Sequence, residues 1–329
     1  MAAIPDTVLV APDAFKGTLT AREVTDAIVR GLEAAGRPVD PCPVADGGEG
    51  TLDVLTVALG GELVAAEAHD PLGRSIEAGF ALTDGGSRAI VETASASGLG
   101  LVAPADRDPL AASTRGTGEL ILAAVEAGAA TVLLGVGGSA TTDGGAGAIA
   151  AIREGGGIGR ARLIVLCDVQ TSFEDAARVF GPQKGADAGT VRRLARRLND
   201  LARRLPRDPR GRAMTGAAGG LSGGLWAAFG AELVPGAAFV LDALSFDARM
   251  RAARAVVTGE GCLDGQSLAG KAVSEVATRA RQAGVPCHAI VGVRALDAFG
   301  ARILDLQAVL EASTVAEIEA AGRELAALL

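Results

Sequence analysis

The sequence predicts an α/β protein of two α/β domains: a discontinuous doubly wound (Rossmann-like) parallel-sheet domain and an inserted mixed-sheet α/β domain. Both ends of the chain alternate apolar strand-like runs with helical periodicity, the texture of parallel βαβ units. The middle strings short strand-like pieces between tight turns instead. A length of 329 residues also exceeds what one small core organises. These changes of texture place the doubly wound domain at 1–62 plus 238–329 and the insert at 63–237. A site is expected in the cleft between them, because open parallel sheets bind ligands at the carboxyl ends of their strands.

The first strand, Thr7–Pro12, ends at Asp13, and a loop carrying Lys16 leads to a helix opened by the T-x-x-E capping box of Thr20 and Glu23. Val24, Ala27, Ile28, Gly31 and Leu32 line one face of that helix. "VDPCPVADGGEGT" (39–51) is a short strand running into a glycine loop with Asp46 and Glu49, and a helix is expected from Thr51. Three pieces, "ELVAAEAHD", "SIEAGFAL" and "RAIVETA", suit a mixed or antiparallel sheet. "STRGTGELILAAVEAG" then reads as loop and helix, and "TVLLGVGGSATTDGGAGAIAAI" as strand, long glycine loop and helix. "RLIVLCDV" is a buried strand ending at Asp168, and "FGPQKGADAG" is a loop carrying Lys184. Nine arginines fall in the 21 residues 192–212, while Leu194, Leu198, Leu201 and Leu205 form a helical stripe, so the arginines read as a solvated helix face. After Phe239 come the strand "AVVTGEG", a helix expected over Ser267–Gln282, the strands "CHAIVGV" and "LQAVLE", and a last helix capped by Thr314 and Glu317.

Composition narrows the function. A net charge of −8 and a pI near 5.0 argue against nucleic acid and acidic membranes. No leader pattern opens the chain, and the longest apolar run (120–136) holds Glu126 and two glycines, so neither a signal peptide nor a membrane span is expected. Cys42, Cys167, Cys262 and Cys287 are scattered, which suggests the reducing cytoplasm and no zinc site. With His69 and His288 the only histidines, a metal would be a hard ion held by carboxylates, which points to Mg2+.

Lysine usage is more telling. Of 31 basic residues only Lys16, Lys184 and Lys271 are lysine, and each adjoins a glycine. A compact ammonium is hard to replace by arginine where a phosphate must be approached closely. The glycine loops after strands also collect Asp13, Asp46, Glu49, Asp143, Asp168, Glu260 and Asp264. Lysines, backbone amides and carboxylates are the materials of phosphoryl transfer. Two other motifs compete: "GVGGSA" (135–140) with Glu154 matches a dinucleotide fingerprint, and "GLSGG" (220–224) with His288 matches a nucleophile elbow. The first loop runs on as "TTDGG" before a helix can begin, and no buried strand precedes the second. "GEGCLDGQSLAGKA" is close to a Walker loop, yet Ala272 stands where Ser or Thr is needed.

Taken in order, "APDAFKGTL", "ADGGEGT", "VETASASGL", "STRGTGELI", "GVGGSATTDGG", "CDV", "FGPQKGA" and "TGEGCLDGQSLAGKA" resemble the type-1 glycerate kinase family, from the first strand to about residue 293. The resemblance implies ATP and Mg2+ as cofactors and phosphorylation of D-glycerate, with the 2-hydroxyl as acceptor. It also makes the last segment a site in its own right, with Glu260, Asp264, Gln266 and Ser267 in it. On that reading Asp46 is the base, Lys16 and Lys271 neutralise the moving phosphoryl group, and Lys184 holds a phosphate or the glycerate carboxylate. Gly137, Gly138 and Ser139, with Gln266 and Ser267, take nucleotide phosphates. Asp13, Glu49, Ser95 and Ser97 touch substrate, and Asp168 and Glu260 hold the metal. The chain departs from the family where Thr142 replaces an asparagine, where 144–167 is shortened and where 170–179 lacks the usual pattern. A nicotinamide-dependent oxidoreductase and a non-catalytic nucleotide-binding relative are the alternatives, and a homo-oligomer is left open.

Overall fold

The structure is a computed structural model that describes residues 6–265 and 267–329. Its strands are β1 (Val8–Pro12), β2 (Val39–Pro41), β3 (Glu62–His69), β4 (Ser75–Thr83), β5 (Arg88–Glu92), β6 (Thr131–Gly135), β7 (Arg162–Leu166), β8 (Glu232–Val234), β9 (Ala255–Leu263), β10 (Cys287–Arg294) and β11 (Leu306–Glu311). The chain divides into two compact units, one running to Asp46 and resuming over Ala237–Leu329, the other Gly47–Gly236.

The first unit is a five-stranded sheet in the order β11-β10-β9-β1-β2, parallel throughout. Side chains alternate across a strand, so Leu9 and Ala11 face one layer of helices while Val8 and Val10 face the other. Val24, Ile28 and Leu32 of the helix Ala21–Ala34 join Ile318 and Leu325 of the helix Val315–Ala326 on one side. Val273, Val276 and Ala280 of the helix Ala272–Ala283 cover the other side, with Leu241, Phe246 and Met250. The sheet is therefore doubly wound. Both capping boxes, Thr20 with Glu23 and Thr314 with Glu317, form. The helix expected from Ser267 starts later. Ser267–Ala269 is a single 3-10 turn, and Gly270, at φ 109°, breaks the chain direction so that Lys271 becomes the N-cap of Ala272–Ala283.

The second unit holds a six-stranded sheet in the order β3-β4-β5-β6-β7-β8. β3, β4 and β5 are antiparallel, and β5 to β8 are parallel. The mixed sheet follows from the connections: tight turns join the first three strands, and helices such as Arg115–Glu126 and Ala146–Glu154 cross over between the rest. The division falls at Asp46/Gly47, earlier than the change of sequence texture near residue 62, because the helix Thr51–Ala58 is tied to β5: Glu92 accepts the Gly50 and Leu52 amides. In the helix Ala188–Ala202, Leu194 and Leu198 are buried against Phe173 and Ala177, while Arg192, Arg193, Arg196 and Arg197 are exposed. No helix among the described residues is long and apolar enough to cross a membrane.

His288, on β10, is 5% exposed and its Nδ1 has no hydrogen-bond partner among the described residues. Burial holds its pKa below the usual 6.5. The folded state then keeps the ring neutral while the unfolded chain takes up a proton, so stability present above about pH 6.5 is lost as pH falls through it. His288→Leu should lose less stability than the wild type between about pH 7.5 and about pH 5.5, with a maximum difference in slope of about 1.4 kcal/mol per pH unit. Urea unfolding at the two pH values reads this directly.

Candidate active site

In the first unit the chemistry gathers where β1, β2 and β9 end. Asp13 directly follows β1, its amide bonded to the Gly259 carbonyl. The next turn is closed by Phe15, whose amide binds the Leu19 carbonyl and whose carbonyl accepts the Thr18 hydroxyl at 2.8 Å. Phe15 is buried, and this anchor turns Lys16 outward, its side chain 47% exposed. Lys16 Nζ reaches Asp46 Oδ2 at 3.0 Å, joining the two loops predicted to carry catalysis. Asp46 chiefly, with Asp13 and Glu260 adding, raises the Lys16 pKa, so it stays an ammonium.

Glu260, within β9, is nearly buried, with Lys271 Nζ 3.4 Å from its Oε2. Its Oε1 is buried without a hydrogen-bond partner among the described residues, and burial raises its pKa. Ser267 corrects one expectation. The residue is fully buried, its hydroxyl accepting the Asp264 amide at 3.0 Å and lying 3.4 Å from the Cys262 carbonyl. It stitches the loop together and lies close enough to the Glu260 carboxylate to oppose the rise in its pKa. Gln266 lies outside the described residues.

In the second unit two glycine loops interlock. A Cβ placed on Gly137 would lie 2.2 Å from the Gly48 Cα, so backbone packs on backbone there and only glycine fits. Glu49 is exposed, and its carboxylate comes within 3.5 Å of the Cβ position of Gly138. Ser139 is 7% exposed and accepts a hydrogen bond from Lys184 Nζ at 2.9 Å. Lys184 also binds the Thr141 carbonyl at 2.5 Å and is itself 3% exposed. Burial pushes its pKa down to about 7, with Asp143 opposing. Its donors are turned into the protein, so Lys184 braces the 139–141 loop from beneath where the sequence suggested direct contact with an anion.

Ser97 is likewise corrected: the residue is fully buried and its hydroxyl accepts from Thr117 at 2.8 Å, leaving it no route to a ligand. Ser95, on the one-turn helix Ala94–Ser97, is half-buried. Asp143 is a structural knot that accepts the amides of Thr114, Gly145 and Gly147 and the Thr114 hydroxyl. Asp168 Oδ1 accepts the Gly236 amide at 2.7 Å. Glu92 was missed by sequence reasoning. It ends β5, is 5% exposed, and holds the Gly50 and Leu52 amides below Glu49, while burial pushes it up to about 7. An acid closing an apolar strand just before "TASASG" was the available signal.

The competing motifs do not hold. Glu154 is paired with Arg115 at 2.8 Å, and Ser222 is fully buried with its hydroxyl on the Met214 carbonyl. Among the described residues no three His, Cys, Asp or Glu side chains form a metal cage. Mg2+ needs none, since it keeps several waters and takes one or two carboxylates beside substrate phosphates. The unpartnered Oε1 of Glu260 is a hard oxygen donor that suits such an ion.

A doubly wound parallel sheet with lysine–carboxylate pairs at its strand ends, and a mixed sheet with interlocked glycine loops, make a small-molecule phosphotransferase the class that this fold and these groups describe. Sequence comparison makes the assignment specific: the glycerate kinase family matches residues 8–154 and 157–328. The chain belongs to that family. The match breaks at 155–156, inside the shortened connection between the helix Ala146–Glu154 and β7. A glycerate kinase of Halalkalibacterium halodurans is 39% identical, the alignment covering 87% of this chain and 85% of that protein. The glycerate 2-kinase of Escherichia coli K12 is 36% identical over 87% and 84%. The crystal structure of a candidate glycerate kinase 2 from Salmonella typhimurium LT2 superposes with a TM-score of 0.80 at 34% identity, covering 98% of each chain.

Gly137→Ala should cost about 1–3 kcal/mol of stability through overpacking. Turnover should fall with it, because the Gly48 backbone beside Glu49 must move. Denaturant unfolding of the variant beside its kcat checks both effects.

Proposed function

We propose that this protein transfers the γ-phosphoryl group of ATP to the 2-hydroxyl of D-glycerate, releasing ADP and 2-phosphoglycerate. Family membership supports glycerate as substrate, and the observation that carries the chemistry is the 3.0 Å pair of Lys16 and Asp46. Asp46 takes the proton of the attacking hydroxyl as its oxygen bonds to phosphorus and the bond to ADP breaks. Lys16 pairs with Asp46 and, with half its side chain in solvent, has reach to spare for phosphoryl oxygens. Lys271, at the N-cap of Ala272–Ala283, adds positive charge where a helix N-terminus already favours anions. The amides of Gly137 and Gly138 and the hydroxyl of Ser139 receive nucleotide phosphates, with Lys184 fixing the loop that presents them and Glu92 holding the 50–52 backbone beside Glu49. Glu49 and Ser95 contact substrate. Mg2+ would be held by Glu260 or by Asp168, and would supply charge neutralisation on the phosphates. Four unpaired cysteines suit the cytoplasm.

The test follows phosphoenolpyruvate after enolase is added to protein, Mg2+, ATP and D-glycerate. A signal without phosphoglycerate mutase fixes both substrate and hydroxyl. A signal that needs mutase moves attack to the 3-hydroxyl, and ADP without either product discards glycerate. Within the same assay, Lys16→Arg should lower kcat by about 10²-fold or more, with the fold intact by circular dichroism. Asp46→Asn should lower kcat by about 10²- to 10⁴-fold and keep nucleotide affinity. Retained turnover in Asp46→Asn reassigns the base.

A further inference from the structure

A cavity in the second unit borders the 139–141 loop at Ala140, and two cationic side chains line it. Arg107 and Lys184 share its walls with Leu99, Val102, Pro109 and Ala112. The Arg107 Cβ lies 3.6 Å from the Cβ position of Gly185, which sets its stem beside Lys184. Its Nε is buried without a hydrogen-bond partner among the described residues. Lys184 directs two of its three N–H groups to the Ser139 hydroxyl and the Thr141 carbonyl, so one donor remains. Neither cation forms an ion pair with a carboxylate among the described residues. Asp143 acts on Lys184 only at longer range and is held by the Thr114, Gly145 and Gly147 bonds. Asp108 also lines the cavity, but it is exposed and its Oδ1 accepts the Leu110 and Ala111 amides. Two buried donors with no acceptor are costly unless something else supplies one.

We propose that this cavity is a binding site for one small monovalent anion, a halide such as chloride, seated between the Arg107 guanidinium and the Lys184 ammonium. The space takes a single occupant of about the size of a water molecule, which leaves out phosphate, nucleotide and glycerate. A water accepting from both cations would have to place its own O–H groups against the apolar walls, whereas a halide accepts only. Its charge also compensates two cations that no carboxylate pairs. Burial pushes Lys184 down to about 7, with Asp143 opposing, and an anion beside it favours the ammonium. Because the same ammonium holds Ser139 and Thr141, a bound anion fastens the 139–141 loop through Lys184. The anion is a ligand of the fold and no reactant, so the site stands apart from the glycerate reading.

The experiment compares urea unfolding in sodium chloride and in sodium gluconate at one fixed ionic strength, so that screening is equal and the size of the anion differs. A ligand that binds only the folded chain raises its stability by mass action. The wild-type midpoint should therefore rise as chloride replaces gluconate, and bromide should substitute for chloride. Arg107→Gln removes one of the two cations and leaves the Lys184 bonds to Ser139 and Thr141 in place, so the chloride-dependent rise should vanish in it. Wild-type crystals soaked in sodium bromide should show an anomalous peak in contact with both Arg107 and Lys184. Equal midpoints in chloride and gluconate overturn the proposal, as does a chloride effect undiminished in Arg107→Gln. Should Arg107→Gln fail to fold, the bromide soak decides, and the absence of a peak between the two residues overturns the proposal. A bromide peak there with no chloride effect in solution means binding at crystal concentration only and overturns it too. These readouts are stability and position, so a wild type that fails to phosphorylate D-glycerate would remove the glycerate reading and leave the anion site standing.

Discussion

Ionic groups taken out of water must be neutralised, and the catalytic end of the first unit is arranged around that requirement. A parallel sheet delivers its strand ends and the following loops to one edge. Here that edge receives Asp13 from β1, Asp46 from beyond β2 and Glu260 from β9. Left alone, three buried acids would repel one another and raise each other's pKa. Lys16 and Lys271 remove most of that cost by pairing with Asp46 and Glu260. Asp13 has no lysine paired to it, and burial together with the like charge of Asp46 raises its pKa.

The second unit solves a different problem, that of holding exposed backbone in one shape without filling the space a ligand needs. Its loops use glycine where chains touch, as Gly137 does against Gly48, and place their bracing groups underneath. Glu92 grips the amides at the start of the helix Thr51–Ala58, which has no side-chain cap of its own. Asp143 collects three amides and a hydroxyl, and Lys184 fastens Ser139 and the Thr141 carbonyl. Each brace is a buried polar group satisfied by several hydrogen bonds, an arrangement that costs stability if any one partner is removed.

Much of this was legible in the sequence, because hydrophobic period and capping chemistry are local. The apolar runs "TVLVAP" and "AVVTGEG" and the boxes at Thr20 and Thr314 gave the doubly wound sheet its elements. Loop membership was legible too, since Asp13, Lys16 and Asp46 all stand just past apolar strands. Side-chain direction was not. Ser97 and Ser267 sit in the right loops and point inward, to Thr117 and to the Asp264 amide, because each loop needed an internal hydrogen bond more than an exposed hydroxyl. The start of the helix at Ala272 was missed for a related reason: periodicity carried the pattern back through Ser267, and the positive φ of Gly270 overrode it.

The three lysines show how a compositional signal is right about position and incomplete about purpose. All were read as contacts to anions, Lys184 to a phosphate or to the glycerate carboxylate, yet their settings differ. Lys16 is half exposed and tied at its tip, Lys271 is mostly covered beside Glu260, and Lys184 is buried with its donors on a hydroxyl and a carbonyl. What they share is a requirement that arginine fails. A guanidinium is a rigid planar fork that keeps its charge in any setting, whereas an ammonium is compact, rotates its donors and gives up its proton when desolvated. At Lys184, where burial brings the pKa to about 7, that last property decides the residue: a guanidinium there would be a permanent buried charge, with five donors and two acceptors within reach.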